Sequence, residues 1–308
     1  MYKISDFDYL KEKIDFSYDN DISFYAVAAS EDTFEEPMLF YLLDIKYLSV
    51  LEKHKNNIAG IICSSEINEL IKNNYSTIVT SSPKTLFFLI HNNLKNNNKF
   101  PSIIEDGCII SEKASIAPYN VIIKSGTVID DFVSVKENVE IGNNCYISNG
   151  SVVGSEGFNV FQHNGINILV KHYGKVVLGN NVVVLCNSCI AKSIYGHITT
   201  LIEDGVMIDN LVQVAHDAKI RKNAELSSGT VLCGFSEVGV GTFMGANSSI
   251  KQLTKVGNNN KIGMGAFINF NTGDNYTIAG FQPLPLDEAR LLKNYNKKII
   301  EELKQDFK

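Results

Sequence analysis

Aliphatic residues recur at nearly every sixth position in the second half of the chain, and this period constrains the fold more than any other feature. The positions that share it are Leu178, Val184, Ile190, Ile202, Ile208, Val214, Ile220, Leu226, Leu232, Val238, Met244, Ile250, Val256, Ile262 and Ile268. Gly196 is the one miss, and Ile194 and Ile198 flank it without a change of phase. A helix repeats at about 3.6 residues and a strand at 2, so neither element alone explains a sustained period of six.

A period of six is typical of hexapeptide repeats, in which short parallel strands wind into a β-helix. Each coil buries its aliphatic side chains against the neighbouring coils. The residue after the key aliphatic is often Gly, Ala, Asp or Glu, as in Val238-Gly239 and Ile262-Gly263, and we attribute this preference to turns. The pattern therefore predicts a mainly β protein built around a parallel β-helix, although the period alone does not define its handedness.

The same pattern begins earlier, between residues 104 and 153, with a slip of one residue after Ile116 that we interpret as a bulged turn. Between Gly154 and Lys175 the pattern lapses into aromatic and turn-forming residues. A loop that interrupts a regular solenoid usually lies on its binding face. We therefore expect residues 154–175 to border a binding site.

Residues 1–100 lack the period and alternate between strand-like and helix-like segments, which predicts a small α/β domain. The expected strands are 22–29, 59–64 and 76–80, with a mixed or helical segment at 45–53 and helices at 66–72 and 83–93. A polar run at 93–99 predicts a linker, the β-helix is expected over 101–280, and a helical segment over 281–308. That segment has an apolar stripe at Leu286, Ala289, Leu292, Ile299, Ile300 and Leu303, which we expect to pack on neighbouring subunits.

Composition and charge limit the classes of partner. The net charge is −6 and Lys and Arg form no long basic run, so neither nucleic acid nor an anionic membrane is expected as a partner. The N-terminus lacks signal-peptide features and no apolar run reaches the length of a membrane span, which predicts a cytoplasmic protein. Six cysteines form no dense disulfide framework, and Cys186 and Cys189 lack the second pair that a structural zinc site would need.

Four stretches of the chain together resemble one enzyme family, the UDP-3-O-acylglucosamine N-acyltransferases of lipid A synthesis and related sugar N-acyltransferases. These stretches are the hexad array, Gly154-Ser-Glu-Gly-Phe158, Ile208-Asp-Asn-Leu-Val-Gln-Val-Ala-His216, and the segment that begins Ile278-Ala-Gly-Phe-Gln-Pro. The resemblance implies a left-handed parallel β-helix with three hexads in each coil. It also implies a homotrimer, with active sites in the clefts between adjacent β-helices, which would cover apolar exterior surface.

The resemblance also implies catalytic and substrate-binding residues in the array. His216 matches the catalytic histidine, and Gly234 matches the backbone N–H donor to the oxyanion. With three hexads in each coil, these two positions stack about 4.8 Å apart. Asn210 and Gln213 match positions near the substrate, although exposed turns also favour such residues. Asp217 stands where the family more often has Asn, and its carboxylate would orient the imidazole and favour its charged form.

In the N-terminal domain, the segment 39–47 is similar to a family segment whose Phe and Tyr sandwich a pyrimidine base. Tyr41 takes the place of the Phe, or Phe40 does so with a shift of one residue, and Tyr47 takes the other ring position. Asp44 and Lys46 lie between the aromatic positions and suit the polar edges of a base. The predicted substrate is therefore a nucleotide-linked amino sugar.

The predicted chemistry is acyl transfer to nitrogen. An amine that attacks a thioester must lose a proton, and the tetrahedral intermediate needs its oxyanion neutralised. His216 would accept the proton, because an imidazole with its ordinary pKa of about 6.5 does so near neutral pH. The alternative for His216 is a turn histidine that is solvated at a corner of the coil. No permanently bound cofactor or metal is expected, since the acyl thioester is a co-substrate.

One departure from the family bears on the substrate. Leu253 stands where the lipid A enzymes carry a second histidine, and the first half of the array is short. The sequence therefore favours a relative that acylates a nucleotide-linked amino sugar for a surface glycan, with acyl-coenzyme A as donor. The alternative is the UDP-3-O-(3-hydroxyacyl)glucosamine N-acyltransferase of lipid A synthesis, which uses acyl carrier protein. The base, the amino position of the sugar and the acyl length stay open.

Two further function classes fit the sequence less well. A zinc hydratase on the same solenoid needs three histidine ligands, and this array offers only His197 and His216, at an unsuitable separation. A non-catalytic solenoid leaves the interruption at 154–175, the aromatic segment and His216 without a role. We expect His163 and His172 to be surface or substrate-edge residues. His54 and His91 are expected to be structural or exposed.

Overall fold

The computed structural model describes residues 1–28, 35–95, 99–280 and 285–306. The N-terminal elements are β1 (Tyr2–Lys3), the 3-10 helix η1 (Ile4–Glu12), β2 (Ser17–Tyr18), β3 (Ser23–Phe24), β4 (Ala26–Val27), β5 (Met38–Tyr41), η2 (Ile45–Tyr47), α1 (Leu48–Leu51), η3 (Glu52–Asn57), β6 (Ile58–Cys63), α2 (Ser65–Ile71), β7 (Thr77–Val79) and α3 (Pro83–Asn92). Strands β2, β7, β6, β5 and β4 form one sheet in that order, parallel except for β2. The α/β arrangement expected for this part of the chain is confirmed.

Alternate residues of β5 face opposite sides of this sheet, as the pleat of a strand requires. Phe40 packs with Leu51 and Ile67 of the helices α1 and α2. Leu39 and Tyr41 face α3 on the other side of the sheet. The strand expected over 22–29 is divided into β3 and β4, and its last residue lies outside the described part of the chain.

The hexads form a parallel β-helix with three sheets, and each hexad contributes one short strand. The first sheet contains β8 (Ile103–Ile104), β11 (Val121–Ile123), β14 (Val139–Ile141), β19 (Lys175–Leu178), β22 (Thr199–Ile202), β25 (Lys219–Ile220), β28 (Glu237–Val238) and β31 (Lys255–Val256). The second contains β9 (Ile109–Ile110), β12 (Val128–Ile129), β15 (Tyr146–Ile147), β20 (Val183–Val184), β23 (Met207–Ile208), β26 (Glu225–Leu226), β29 (Phe243–Met244), β32 (Lys261–Ile262) and β34 (Thr277–Ile278). The third contains β10 (Ser115–Ile116), β13 (Ser134–Val135), β16 (Val152–Ser155), β21 (Cys189–Ala191), β24 (Gln213–Val214), β27 (Val231–Leu232), β30 (Ser249–Ile250) and β33 (Phe267–Ile268).

From Val121 onward the key aliphatic residues of the hexads point inward and form one continuous core along the β-helix. Residues such as Val214, Leu232 and Ile250 have no exposed surface. In most hexads the third residue after the inward aliphatic has a positive φ, as at Gly205 (70°) and Asn223 (56°). Gly and Asn adopt this conformation at the lowest steric cost, which explains why they recur at the corners. The mainly β fold with hexapeptide coils, expected from the period of six, is confirmed.

Four irregularities among the described residues interrupt the eighteen-residue coil, and the last is the pairing of Ile262 with Ile278, sixteen residues on. Ile104 pairs with Ile123, nineteen residues on. The extra residue agrees with the one-residue slip after Ile116 that was interpreted as a bulged turn. Val153 pairs with Ile190, thirty-seven residues on, and Ile190 pairs with Val214, twenty-four residues on. In regular coils the partner is eighteen residues on, as for Val214 and Leu232. The chain therefore leaves the coil twice, at residues 156–174 and again at 192–198.

The second excursion corrects the interpretation of Gly196. The sequence suggested a coil hexad with one missing aliphatic residue, but residues 192–198 contribute no strand to the sheets. The segment instead projects from the corner after β21, and Ile194 and Tyr195 are buried against the N-terminal elements. Ile194, which flanks Gly196, therefore belongs to the core of the N-terminal elements and not to the core of the β-helix.

The first excursion contains an antiparallel hairpin of β17 (Val160–His163) and β18 (Ile166–Leu169), which packs against α3. Phe161 stacks on Phe88 with ring centroids 5.6 Å apart. His91 donates from Nε2 to the carbonyl of Lys171 (2.8 Å), and Asn92 donates to the carbonyl of Leu169 (2.9 Å). The two excursions thus join the N-terminal elements to the side of the β-helix.

The C-terminal helix α4 (Leu286–Asp306) follows the last strand, as expected. Leu286 and Leu292 of its predicted stripe are exposed, whereas the side chains of Ala289, Ile300 and Leu303 lie outside the description. Residues 281–284 of the Ile278-Ala-Gly-Phe-Gln-Pro segment and residues 96–98 of the expected linker also lie outside it. Within the described ranges, no helix combines the length and the apolar character needed to cross a membrane.

Candidate active site

His216 lies at the corner of the β-helix between the third and the first sheet, two residues after Val214 of β24. The residue is only 5% exposed, so it is not a solvated corner histidine. Its Nδ1 lies 2.7 Å from Oδ2 of Asp217. Because a carboxylate accepts hydrogen bonds, Nδ1 carries the hydrogen and the lone pair is on Nε2. The imidazole is therefore oriented with its basic nitrogen opposite the carboxylate.

The backbone at the corner holds Asp217 in place. Its φ of 62° lies in the left-handed region, at the position where most coils have Gly or Asn. The N–H of Asp217 donates to Oγ1 of Thr200 (2.9 Å), and the N–H of Ile194 points to Oδ2 at 3.5 Å. The carboxylate is 1% exposed, and its Oδ1 has no hydrogen-bond partner among the described residues. The second excursion thus helps to fix the carboxylate that orients His216.

Gly234 lies one coil further on and packs directly against the imidazole. The N–H of Phe235 donates to the carbonyl of His216 (3.1 Å), which fixes the two corners relative to each other. A Cβ added to Gly234 would lie 2.8 Å from Nε2 of His216, so only glycine permits this approach. The N–H of Gly234 makes no hydrogen bond to another described residue. A free backbone donor beside an imidazole can stabilise an oxyanion.

A second histidine, His172, lies in the first excursion and contacts His216. The ring centroids are 5.4 Å apart and the planes meet at 64°. His172 is 2% exposed, so the expectation of a surface position is wrong, whereas the contact with His216 is compatible with the alternative, a substrate-edge position. His163 of the same excursion is partly exposed and contacts the carbonyl of Lys13 (3.1 Å). Only the fold reveals the position of His172, because it lies outside the hexad pattern.

Glu156 anchors His172 and connects it to Lys192. Oε2 of Glu156 accepts the backbone N–H of His172 (2.8 Å) and lies 3.1 Å from Nδ1, while Oε1 lies 3.0 Å from Nζ of Lys192. Burial alone would raise the pKa of Glu156, but the hydrogen bonds from His172 and the charge of Lys192 outweigh burial and lower this pKa to about 2. Glu156 is therefore a carboxylate at neutral pH.

Gly157 of the first excursion lies against both imidazoles. A Cβ added there would lie 2.8 Å from Nε2 of His172 and 3.0 Å from Cδ2 of His216. The Gly154-Ser-Glu-Gly-Phe158 segment, which the sequence related to the binding face, thus provides both Glu156 and Gly157 to the site. Phe158, in contrast, is 88% exposed.

The structure places Asn210 and Gln213 at the opposite end of β24 from His216. Asn210 lies at the preceding corner, where its Oδ1 accepts the N–H of Cys186 (3.0 Å) and its Nδ2 donates to Asp209 (2.8 Å). Gln213 begins β24 and makes only a long contact from Nε2 to the carbonyl of Val214 (3.4 Å). Asn210 therefore has a structural role at its turn, whereas the amide of Gln213 is more available to a ligand.

The predicted base-binding residues lie in different environments. Tyr47 is 54% exposed, and Nζ of Lys46 lies 5.0 Å from its ring centroid. Lys46 also pairs with Asp44 (2.9 Å), whose pKa is lowered mainly by the hydrogen bond from the backbone N–H of Lys46. Tyr41 packs against Phe87 at 4.7 Å, and burial raises its pKa.

Phe40 differs from the other aromatic residues of this segment because it is sealed in the core. It is 1% exposed and stacks on His54, with ring centroids 6.3 Å apart. A base could reach its ring only if the sheet moved away from α1. Of the two alternatives for the first ring position, the geometry therefore favours Tyr41.

No group of three or more His, Cys, Asp or Glu side chains suited to a metal ion occurs among the described residues. The sulfur atoms of Cys186 and Cys189 instead contact hydroxyl groups, Ser148 at 3.2 Å and Ser155 at 3.1 Å. His197 stacks on Tyr195 at the N-terminal side of the site, with ring centroids 5.9 Å apart.

Comparisons with known proteins show which families and proteins this chain is similar to. Residues 120–155 match the family described as bacterial transferase hexapeptide (six repeats). Curated relatives named UDP-3-O-acylglucosamine N-acyltransferase include one from Shewanella denitrificans, 37% identical over 97 residues (32% of this chain, 28% of the relative). Another is from Wolinella succinogenes, 32% identical over 145 residues (47% and 45%), and a third is from Fusobacterium nucleatum, 29% identical over 220 residues (63% and 64%). The chain thus spans less than two thirds of the length of these relatives.

Among solved structures, a UDP-N-acetylglucosamine acyltransferase from Campylobacter jejuni aligns with 63% of this chain and 83% of its own, at 21% identity and a TM-score of 0.44. The family match and the curated relatives confirm the resemblance that the sequence motifs indicated.

Proposed function

We propose that the protein is an N-acyltransferase that moves an acyl group from a thioester to the amino group of a UDP-linked glucosamine derivative. The observation that carries this proposal is the imidazole of His216, oriented by Asp217 at 2.7 Å and packed against the free backbone N–H of Gly234. The curated relatives share the name UDP-3-O-acylglucosamine N-acyltransferase, which supports a glucosamine that already carries an ester-linked acyl chain. This favours the lipid A reaction, the alternative in the sequence analysis.

The proposed reaction uses each of these groups once. The amine nitrogen attacks the thioester carbonyl, and the oxyanion that forms accepts the N–H of Gly234. Nε2 of His216 takes the proton that the attacking nitrogen loses, and Asp217 stabilises the resulting imidazolium. When the tetrahedral intermediate collapses, the carbon–sulfur bond breaks and the leaving thiolate takes the proton from His216. The products are an amide and a free thiol.

The N-terminal elements are proposed to bind the nucleotide. Tyr47 has an exposed ring, and the Asp44–Lys46 ion pair lies beside it. Tyr41 packs against Phe87 of α3. In this proposal residues 1–100 hold the nucleotide, residues 101–280 carry the acyl transfer, and residues 281–308 contribute to assembly. A homotrimer with sites between adjacent β-helices is part of the proposal, supported by exposed apolar residues such as Met207 and Phe267 on the sheets.

One observation favours the second candidate, acylation of a different nucleotide-linked amino sugar by acyl-coenzyme A. Leu253 stands where the lipid A enzymes carry a histidine, and the structure places it two coils from Asp217 in the same corner column. It is 59% exposed and offers no polar group to a substrate or donor. A site without that second histidine is expected to differ from the lipid A enzymes in the acyl donor that it accepts.

Acylation assays distinguish these candidates. Purified protein is incubated with UDP-linked 3-O-acylglucosamine, or with UDP- and dTDP-linked amino sugars that lack the ester, and with acyl carrier protein or coenzyme A thioesters. Turnover of the 3-O-acylated sugar with acyl carrier protein supports the lipid A reaction. Turnover of the other amino sugars with coenzyme A thioesters supports the second candidate. His216→Asn should lower kcat by about 10²–10⁴-fold with little change in KM. Equal rates in both proteins, or acylation of hydroxyl sugars alone, would contradict the proposal.

A further inference from the structure

The ring of His172 contacts the imidazole of His216, and the partners of His172 determine where its hydrogen lies. Nδ1 of His172 is 2.9 Å from the carbonyl of Val170 and 3.1 Å from Oε2 of Glu156. Both partners are acceptors, so Nδ1 carries the hydrogen and donates to them. Nε2 is then an acceptor in the neutral ring, and it would become a donor only in the charged ring.

The surroundings of Nε2 of His172 bear on whether this atom carries a hydrogen. This atom is buried and has no hydrogen-bond partner among the described residues. Gly157 lies beside this nitrogen and beside the Cδ2 edge of His216, because a Cβ added to Gly157 would lie 2.8 Å from Nε2 of His172 and 3.0 Å from Cδ2 of His216. A hydrogen on Nε2 would face these C–H groups with no acceptor, whereas a lone pair there faces their positive edges.

The charged groups around His172 and His216 also favour a positive charge on the imidazole of His216. Asp217 lies next to His216 on its own corner, Glu156 and Lys192 pair with each other, and the coil above contributes the uncharged ring of Phe235 at 5.5 Å. Because Lys192 neutralises Glu156, the described residues leave the carboxylate of Asp217 and the lone pair of His172 as the negative groups directly against His216. Both groups would stabilise a positive imidazole.

We propose that His172 is a positioning residue that acts through His216: its neutral imidazole presents the Nε2 lone pair to the edge of His216 and stabilises the imidazolium that forms during proton transfer. Glu156 and Val170 hold the ring so that this nitrogen, and not Nδ1, faces the site. Because Gly157 has no side chain, the rings of His172 and His216 can both pack against its backbone. The expected effect on kcat rests on the proposed function, whereas the expected effect on the titration of His216 does not.

Two substitutions separate the roles of the two nitrogens. In His172→Asn the amide nitrogen takes the position of Nδ1 and keeps the bonds to Val170 and Glu156, while nothing replaces Nε2. In His172→Gln an amide oxygen can reach the position of Nε2 and restore an acceptor. His163→Asn, in the same excursion but outside the site, is the matched control.

The expected result for His172→Asn is a fall in kcat of about tenfold, smaller than the loss of a full oxyanion donor. The acid limb of the kcat/KM profile should move to lower pH, with the KM for the nucleotide sugar unchanged. His172→Gln should retain activity within about threefold of wild type, and His163→Asn should match wild type.

An NMR titration of the ring signals of His216, assigned with His216→Asn, tests the electrostatic step without any enzymatic activity. The midpoint should move to lower pH in His172→Asn and recover in His172→Gln. A midpoint that stays in place or moves to higher pH in His172→Asn would overturn the proposal. A protein that shows the shift but transfers no acyl group would contradict the proposed function alone.

Discussion

A methyl group added to Gly234 would lie 2.8 Å from Nε2 of His216 and closer still to Cε1. Real Cβ atoms essentially never approach other atoms so closely, so either the imidazole or the corner of the next coil would have to move. The stacking of one coil on the next thus determines the position of the proposed general base.

Gly234→Ala should therefore lower kcat by about a hundredfold, because a displacement of about 1 Å at a reacting group has effects of that size. Circular dichroism should show an intact fold. Gly196→Ala is the control, since its Cβ would meet only Tyr173, at 3.8 Å and beyond. Equal kcat values for Gly234→Ala and wild type would remove this contact from the mechanism.

Asp217→Asn should keep kcat within about tenfold of wild type. Asparagine accepts the left-handed backbone at this corner as readily as aspartate. The N–H of Ile194 keeps an oxygen opposite Nδ1 of His216. Without the negative charge, the acid limb of the kcat/KM profile should move to lower pH. Asp217→Ala, which removes the acceptor, should lose more activity than Asp217→Asn in the same assay; the reverse order would contradict the orienting role.

Tyr47→Ala should raise the KM for the nucleotide sugar by roughly ten- to a hundredfold, because stacking of a base on an aromatic ring contributes about 1–3 kcal/mol. The KM for the acyl donor should not change. Tyr25→Ala removes another exposed ring of the same unit and serves as the control. Steady-state kinetics with each substrate varied in turn provide the test, and an unchanged KM for the sugar would exclude Tyr47 from the nucleotide site.

Phe161→Ala should destabilise the contact between the first excursion and α3. The ring is 5% exposed and stacks on Phe88, and truncation of such a buried ring costs about 3–5 kcal/mol. Phe158→Ala, three residues away and 88% exposed, should change stability by less than about 0.5 kcal/mol. Urea unfolding of the two variants measures the difference. Similar midpoints would mean that the excursion does not hold the N-terminal elements.

The stability of the wild type should fall as the pH falls from about 6.5 to about 4 because of His91. Burial lowers the pKa of His91 from 6.5 to about 4. Within this window the unfolded chain binds a proton that the folded chain does not, which favours unfolding. Below pH 4 both states are protonated and the loss is complete, on the order of 3 kcal/mol.

His91→Gln can keep a donor to the carbonyl of Lys171 but cannot titrate, so its stability should depend less on pH in this window. His163→Gln should keep the wild-type slope, since this histidine is partly exposed. Unfolding free energies measured by urea titration between pH 7.5 and 4 test the difference. Parallel curves for wild type and His91→Gln would assign the pH dependence to other groups.

The hexad period predicted the three sheets because each inward aliphatic residue occupies one strand. It did not reveal the excursion at 192–198, since an insertion of six residues preserves the phase of a six-residue repeat. The sequence placed His216 and Gly234 correctly relative to each other for the same reason, because regular coils separate them by eighteen residues.

His172 was not recognised, because its position depends on how the first excursion folds back over the corner. No period links residue 172 to residue 216. A sequence signal was nevertheless present in Glu156, a carboxylate between small residues in the segment that resembles the family. The exposure of Phe40 and Tyr41 likewise depends on which face of β5 meets α1, and the propensity of the segment alone does not specify this.

The corner that carries His216 follows β24, the fifth of eight strands in the third sheet. A solenoid opens from its ends, because a terminal coil has only one neighbour and loses fewer contacts than a central one. Fraying of the first or the last coils would therefore leave this corner closed. Amide hydrogens near His216 should exchange with solvent only in the slowest, global opening event, so catalytic competence and the folded state should be lost together on heating.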